Sequence, residues 1–440
     1  MNKLNKTDLE IANLIKLEEK RETEVLEMIP SENYASTAVR EAIGSVLTNK
    51  YSEGYANKRY YQGNRYVDEV EKLAVLRAKE LFNVPHANVQ PYSGSPANSA
   101  VYFALLRPGD KIMGLRLSGG GHLTHGHPDV TFSGRYFKSV QYDVESDGWI
   151  DMNKAAKLAK KEKPDIIVVG TTAYPRILQW KKWREIADKC GALILADVSH
   201  IAGMIAGGAY PSPVPYADVV MFTTHKTMRG PRGAVLLVTN RGLKRDPDMA
   251  KKIDKAIFPG LQGGPHDNVT AAIAVCFKEA QNPKFKKYAQ QIVNNAKKLA
   301  EVLQKEGFVL TCGGTDSHLL VVDLRPQKVI GNIVAEALEV ANIVVNYNTV
   351  PHDTNPPMYP SGIRLGTPAI TTQGMKEPQM RLIGGWIADV IREVAHYRLP
   401  AAKEERSKYV SGVKAELWKN KKLLDLGKEV KSLCHKFPLP

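Results

Sequence analysis

The chain has 440 residues, too many for one ordinary domain and suited to two, each able to bury its own core. Hydrophobic residues make up 43% and charged residues 24%, which excludes a disordered, fibrous or membrane-embedded protein. The net charge of +15 attracts anions, but the basic residues are spread through mixed-charge stretches, as on solvated helix faces, and this argues against nucleic acid as the main partner.

In chain order, the first thirty residues carry Glu10, Glu18, Glu19, Glu22, Glu24 and Glu27, which fit neither an export signal nor an organelle transit peptide. Thr7 with Glu10 reads as a capping box ahead of Ile11, Leu14 and Ile15, so a helical arm is predicted, and Pro30 ends it. From Asn88 onward, helical stretches alternate with short apolar runs at Lys111 to Leu115, Asp165 to Gly170, Ala192 to Asp197, Asp218 to Phe222 and Ala234 to Val238. That alternation predicts an α/β protein with a mainly parallel sheet covered by helices. A Gly and Pro loop from Phe258 to Pro265 marks a boundary, followed by a helix over Asn268 to Glu279 and further strands at Leu319 to Leu324 and Ile343 to Asn346. The expected division is a helical arm (1–40), a large domain (41–267) and a small α+β domain (268–440). No apolar run approaches the roughly 20 residues that cross a bilayer. Cys190, Cys276, Cys312 and Cys434 lie far apart without the pairing of a zinc site, so no metal is expected. A cytoplasmic protein with free thiols is expected.

In open parallel sheets the ligand sits beyond the carboxyl ends of the strands. Asp197-Val198-Ser199-His200 follows one predicted strand, and Thr223-Thr224-His225-Lys226 follows another. A lysine at a buried strand end has a desolvated ammonium, which lowers its pKa and makes it a nucleophilic amine; it could also serve as a salt-bridged or phosphate-holding residue. A carboxylate at the neighbouring strand end suits a protonated pyridine nitrogen, although Asp also commonly caps such loops. Ser93-Gly94-Ser95, before a helix predicted over Ala97 to Leu106, could hold a phosphate at the helix N-terminus or act as a simple cap and turn. Gly119-Gly120-Gly121-His122 forms either a loop that brings His122 onto a flat ring or a mobile loop.

Together these blocks resemble serine hydroxymethyltransferase (glycine hydroxymethyltransferase) along nearly the whole chain. The resemblance is carried by Ser31-Glu32-Asn33, Leu47 to Tyr55, Lys58-Arg59-Tyr60-Tyr61, Gly121 to Gly126, Thr224-His225-Lys226-Thr227, Gly230-Pro231-Arg232-Gly233, Phe258-Pro259-Gly260, Gln262-Gly263-Gly264-Pro265, Ser361-Gly362-Ile363-Arg364 and Gly366 to Ile370. It implies an aspartate aminotransferase-like pyridoxal phosphate fold of type I, with a mixed, mostly parallel seven-stranded sheet and a smaller C-terminal α+β domain. It implies reversible conversion of L-serine and glycine through aldimine chemistry, with the hydroxymethyl group passed to tetrahydrofolate as cosubstrate. A folate-independent threonine aldolase or transaldolase is the alternative within the same chemistry. A homodimer with shared active sites, or a tetramer, is implied as well.

By the same resemblance Lys226 would hold pyridoxal 5'-phosphate covalently, with Asp197 on the ring nitrogen, His200 near the ring hydroxyl and His122 stacked on the ring. Ser93, Gly94 and Ser95 would take the phosphate, with Gly264 reaching it from the neighbouring subunit, and Tyr51, Thr172 and Thr223 would complete the cofactor site. Ser31, Tyr61 and Arg364 would bind the substrate, Arg364 through a bidentate grip on its carboxylate. Glu53, again from the neighbour, would move the proton, with Tyr61, His122 and His225 as further catalytic residues. Leu117, Gly121, His122, Leu123, Asn348, Pro356, Pro357 and Met358 would face the folate. Departures from the family pattern are Pro96, Ser118-Gly119, Thr172 and Met358; Pro96 falls at a helix start, where its missing N–H is spare.

Overall fold

The computed structural model describes residues 3–128 and 130–440. Its larger sheet has seven strands, in the order His86–Asn88, Ala234–Val238, Val219–Thr223, Leu193–Asp197, Ile166–Gly170, Lys111–Leu115 and Lys138–Tyr142. Ala234–Val238 runs antiparallel to both neighbours, and the remaining pairs are parallel. The central strands read IIVVG, VVMFT and AVLLV and are buried at every position, as expected of a sheet with helices on both faces. Val101, Tyr102, Leu195, Met221 and Leu236 fill one face; Ala78, Trp183, Phe222, Val235 and Phe277 fill the other.

A second, antiparallel sheet runs Val309–Leu310, Leu319–Asp323, Gly362–Gly366 and Asn346–Asn348. Helices Pro283–Lys305, Gly331–Val340, Glu377–Val394, Arg406–Leu417 and Lys421–Cys434 contribute to its core. The single strand expected over Ile343 to Asn346 is broken in two. Ile343–Val344 pairs with the N-terminal segment, and the chain enters the second sheet only at Asn346.

The arm differs from expectation at both ends. Asp8 is the cap of helix Leu9–Glu24, its Oδ1 accepting from Ile11 N at 3.0 Å, while the Thr7 hydroxyl donates back to Lys3 O at 3.2 Å. A carboxylate one residue later thus displaces the predicted capping box. The helix ends well before Pro30, because Leu26–Glu27 pairs in parallel with Ile343–Val344. The segments 1–40, 41–267 and 268–440 do not each own a core. Leu26 and Met28 bury themselves in the C-terminal core, whereas Val39 and helix Asp267–Ala280 belong to the larger one. Helix Pro283–Lys305 spans the division, with Phe285, Tyr288 and Ile292 in the larger core and Leu299 and Leu303 in the smaller.

Candidate active site

Lys226 lies just past the end of strand Val219–Thr223, on a loop closed on itself. Thr224 N donates to Gly233 O at 3.0 Å, Gly230 N to Thr224 O at 2.7 Å and the Thr224 hydroxyl to Pro231 O at 2.6 Å. Asn33 Nδ2 also donates to Lys226 O at 3.0 Å, tying the N-terminal segment to the loop. Burial lowers the Lys226 ammonium to about 8 against the opposing pull of Asp197, and Arg364 and Arg232 push it the same way as burial.

Asp197 ends the adjacent parallel strand, Leu193–Asp197. Burial works against its charge, but donors outweigh that and hold its carboxyl well below the usual range. His125 Nε2 at 2.9 Å and Asn98 Nδ2 at 3.0 Å reach Oδ2, while Ser199 donates from N at 3.1 Å and from Oγ at 2.6 Å to Oδ1. The anion is therefore fixed in position and charge before any ligand arrives.

These two groups share a cavity of about 180 Å³ with Ser93, Gly94, Ser95, His122, Thr172, His200, Thr223 and His225. The helix predicted to begin at Ala97 begins at Gly94, with Ser93 at its cap, so the Ser-Gly-Ser turn is the helix N-terminus itself. The N–H groups of Gly94 and Ser95 have no acceptor one turn back within the helix, whereas Pro96 lacks an N–H and Ala97 N already donates to Ser93 O at 3.0 Å, and the two free groups suit a phosphate. Gly94 is required there, since a Cβ would stand 2.8 Å from Thr223 Cγ2. Thr223 Oγ1 and His225 Nδ1 are buried without a hydrogen-bond partner among the described residues, so this wall has polar groups left for a ligand. Burial and the Lys226 charge bring His225 down to about 3. An amine near neutrality, a fixed carboxylate and a helix-end anion site in one cavity fit pyridoxal phosphate at its aldehyde, ring nitrogen and phosphate.

The glycine loop is built in tightly. Gly120 has φ 96°, and a Cβ on Gly121 would sit 1.9 Å from Leu115 O, so the glycines let the loop pack against the strand end. His122 is brought down to about 4 by burial and His125, and its Nδ1 accepts from Thr124 N at 3.2 Å. The Thr172 hydroxyl donates to Gly121 O at 2.9 Å, and its carbonyl accepts from Arg364 Nη1 at 2.5 Å. Arg364 also donates from Nε to Asn346 Oδ1 at 3.0 Å; buried without a countercharge, it falls to about 10. A desolvated guanidinium of this kind is ready for a carboxylate. Ser31 is half-buried one residue after Pro30, which abuts Gly366.

Tyr51, Glu53, Tyr61 and Gly264 do not line this cavity. They gather elsewhere on the surface, with the Tyr51 and Tyr61 rings 5.5 Å apart, and a Cβ on Gly264 would touch Tyr51 Cδ1 at 3.6 Å and Glu53 Cγ at 3.9 Å. Tyr51 is 61% and Tyr61 46% exposed. Of the expected folate residues, Gly121 is buried and Asn348 half-buried, while Leu117, Leu123, Pro356, Pro357 and Met358 are exposed. The Pro-rich loop bearing the last three is held by Asp353, which accepts from Ser361 N at 2.8 Å and Ser361 Oγ at 2.7 Å. Sequence reasoning gave no role to Asn98, His125 or His318. Asn98 stands one helical turn after Gly94, a spacing that could have signalled it; nothing local marks His318.

A family model described as serine hydroxymethyltransferase matches residues 4–387. The serine hydroxymethyltransferase of Acidothermus cellulolyticus is 54% identical over 420 residues, covering 95% of this chain and 96% of that one. That of Koribacter versatilis is 55% identical over 390 residues, covering 88% and 90%, and that of Desulfotalea psychrophila is 49% identical over 440 residues, covering 100% and 96%.

Proposed function

We infer, from the premise that this chain belongs to the serine hydroxymethyltransferase family, how its own residues carry that family's reaction. The protein interconverts L-serine and glycine, exchanging the hydroxymethyl carbon with tetrahydrofolate. The family depends on pyridoxal phosphate, which when bound supplies an electron sink for negative charge at the amino acid's alpha carbon.

Lys226 is the residue that holds the aldehyde covalently, since an amine lowered to about 8 keeps a far larger unprotonated fraction near neutral pH than an ordinary lysine. Asp197, kept ionised by His125, Asn98 and Ser199, favours a protonated ring nitrogen. Ser93, Gly94 and Ser95 bind the phosphate at their helix end, and the Thr223 hydroxyl adds a donor. His122 and His200 line the same cavity, where His122 would stack on the ring and His200 would meet its hydroxyl. Arg364 orients the substrate by its carboxylate, with Ser31 beside it, so that the bond to be broken at the alpha carbon is presented to the sink.

Glu53 moves the proton at the substrate hydroxyl, and Tyr61 and Tyr51 flank it. These residues lie outside the Lys226 cavity of their own chain, so they act in the cavity of a second copy, with Gly264 beside the phosphate there. The exposed Leu9, Leu14 and Leu17 of the arm and the exposed Tyr51, Tyr60 and Tyr61 suit burial in such a homodimer. Leu117, Leu123, Asn348 and the loop from Pro356 to Met358 form the mouth through which folate enters. The positive net charge favours a polyanionic folate.

The observation that carries this reading is the Lys226 amine, the Asp197 carboxylate and the Ser93–Ser95 helix end on one cavity. Incubating the purified protein with serine, with and without tetrahydrofolate, tests it. Glycine formed at speed only with folate is the expected result; equal glycine without folate, or none with it, would reject the reading.

A further inference from the structure

His318 directly precedes strand Leu319–Asp323 of the smaller sheet and is wholly buried. Its Nε2 lies 3.1 Å from Nδ1 of His200, and the rings meet tilted, with centroids 5.4 Å apart and planes at 36°, joined by that hydrogen bond. Neither ring is charged. Burial, followed by the Lys226 charge, drives His200 well below its ordinary value; burial, then Arg364 and Lys226, brings His318 to about 3. One proton therefore lies in the bond between two neutral rings, and its owner fixes both tautomers.

The other nitrogen of His318 decides the owner. Nδ1 is buried and has no hydrogen-bond partner among the described residues. Were it protonated, an N–H would be left unsatisfied in a region whose influential charges, Arg364 and Lys226, are cations. A lone pair is better tolerated beside cations than the positive end of an N–H. His318 consequently carries its hydrogen on Nε2 and donates it to His200 Nδ1. His200, forced to accept there, carries its own hydrogen on Nε2, and its ring lines the Lys226 cavity.

We propose that His318 is a positioning residue which, by donating to His200 Nδ1, locks His200 as an N–H donor toward the cavity, for the ionised ring hydroxyl of the cofactor. This rests on the cofactor reading given above. His318 itself does not line the cavity, so it acts through His200.

Nitrogen-15 NMR of histidine-labelled, cofactor-free protein, with the His200 signals assigned through His200→Asn, reads the tautomer directly. A protonated Nε2 and a bare Nδ1 on His200 are expected. His318→Leu should mix the His200 tautomers and weaken pyridoxal phosphate binding on the order of tenfold, the loss of one charge-assisted hydrogen bond. His318→Gln keeps an N–H at similar reach and should recover most of that binding. A protonated Nδ1 on wild-type His200 would overturn the proposal, as would Leu and Gln variants that behave alike. Failure of the cofactor reading would look different: wild-type protein would show no visible absorption band with pyridoxal phosphate, whatever the tautomer.

Discussion

In the Lys226 cavity the Asp197 carboxylate meets partners from other elements, whereas Tyr51, Glu53, Tyr61 and Gly264 form a patch at the surface with its aromatic rings exposed. The carboxylate of Asp197 receives donors from a helix, a glycine loop and its own strand end. Glu53 lies beside the glycines at 263 and 264, and its carbonyl accepts from Tyr60 N at 3.0 Å. The cavity is organised by the fold of one chain, at a cost in buried charge that the hydrogen bonds offset. The patch has the exposure of an interface, which is what the proposed role in a second copy's cavity requires.

Removing the cavity's amine should have the largest effect. Lys226→Ala is expected to lower turnover by about a thousandfold or more, the scale of losing a covalent nucleophile, and to abolish the visible band of bound cofactor. Titration with pyridoxal phosphate, followed by absorbance and by glycine release, checks both; full activity would show that the cavity is not the reaction centre.

Mixing sharpens the comparison further. If the chain pairs as proposed, Lys226→Ala and Glu53→Gln proteins should each be inactive alone, yet after dissociation and reassociation in equal amounts they should recover about a quarter of wild-type activity. Half the dimers would be mixed, and one of the two sites in each would hold both intact residues. If nothing is recovered although mixed dimers form, the patch does not act across subunits. His125→Ala tests the cavity's internal support: it removes one of the two donors to Asp197 Oδ2, and an approximately tenfold loss of cofactor affinity is expected. Wild-type affinity would mean that Asn98 and Ser199 suffice.

Acidity supplies another contrast. Lys226 of the cofactor-free protein releases its proton near 8, while its ordinary value is 10.5. Between those values the unfolded chain binds more protons than the folded one, so this residue's contribution to stability rises with pH from about 8 to 10.5. Capture of pyridoxal phosphate should accelerate with pH around a midpoint near 8 and then level off. Stopped-flow absorbance checks this, and a midpoint near 10.5 would mean the amine is solvated.

Legibility in the sequence followed the range of the interaction. The strands Ile166–Gly170, Leu193–Asp197 and Val219–Thr223 are continuous β-branched and apolar runs, and their ends were readable to within a residue. So were Asp197 and Lys226, because chemistry in such sheets follows the strand ends. The two-residue pairing of Leu26–Glu27 with Ile343–Val344 was not, since neither segment shows a pattern and the contact spans most of the chain. The arm's cap was missed by one residue, as Thr7 and Asp8 are both good caps and only the backbone path chooses between them. His318 meets His200 through the docking of one sheet on the other, which no local spacing encodes.

Thr172 gives the smallest expected effect and a fine test of how far the cavity's order depends on single bonds. Its hydroxyl serves the glycine loop by donating to Gly121 O, while its carbonyl serves Arg364, so the side chain braces the wall between the ring site and the carboxylate site. Thr172→Ser keeps the donor and should change kcat/KM by less than about threefold. Thr172→Val keeps the shape but leaves Gly121 O without that bond, a loss of about 1 kcal/mol, and the slack should reach Arg364 as a raised serine KM with kcat nearly unchanged. Equal behaviour of the two variants would mean that the loop is held by its backbone alone, where Thr172 N already donates to Gly120 O at 2.7 Å.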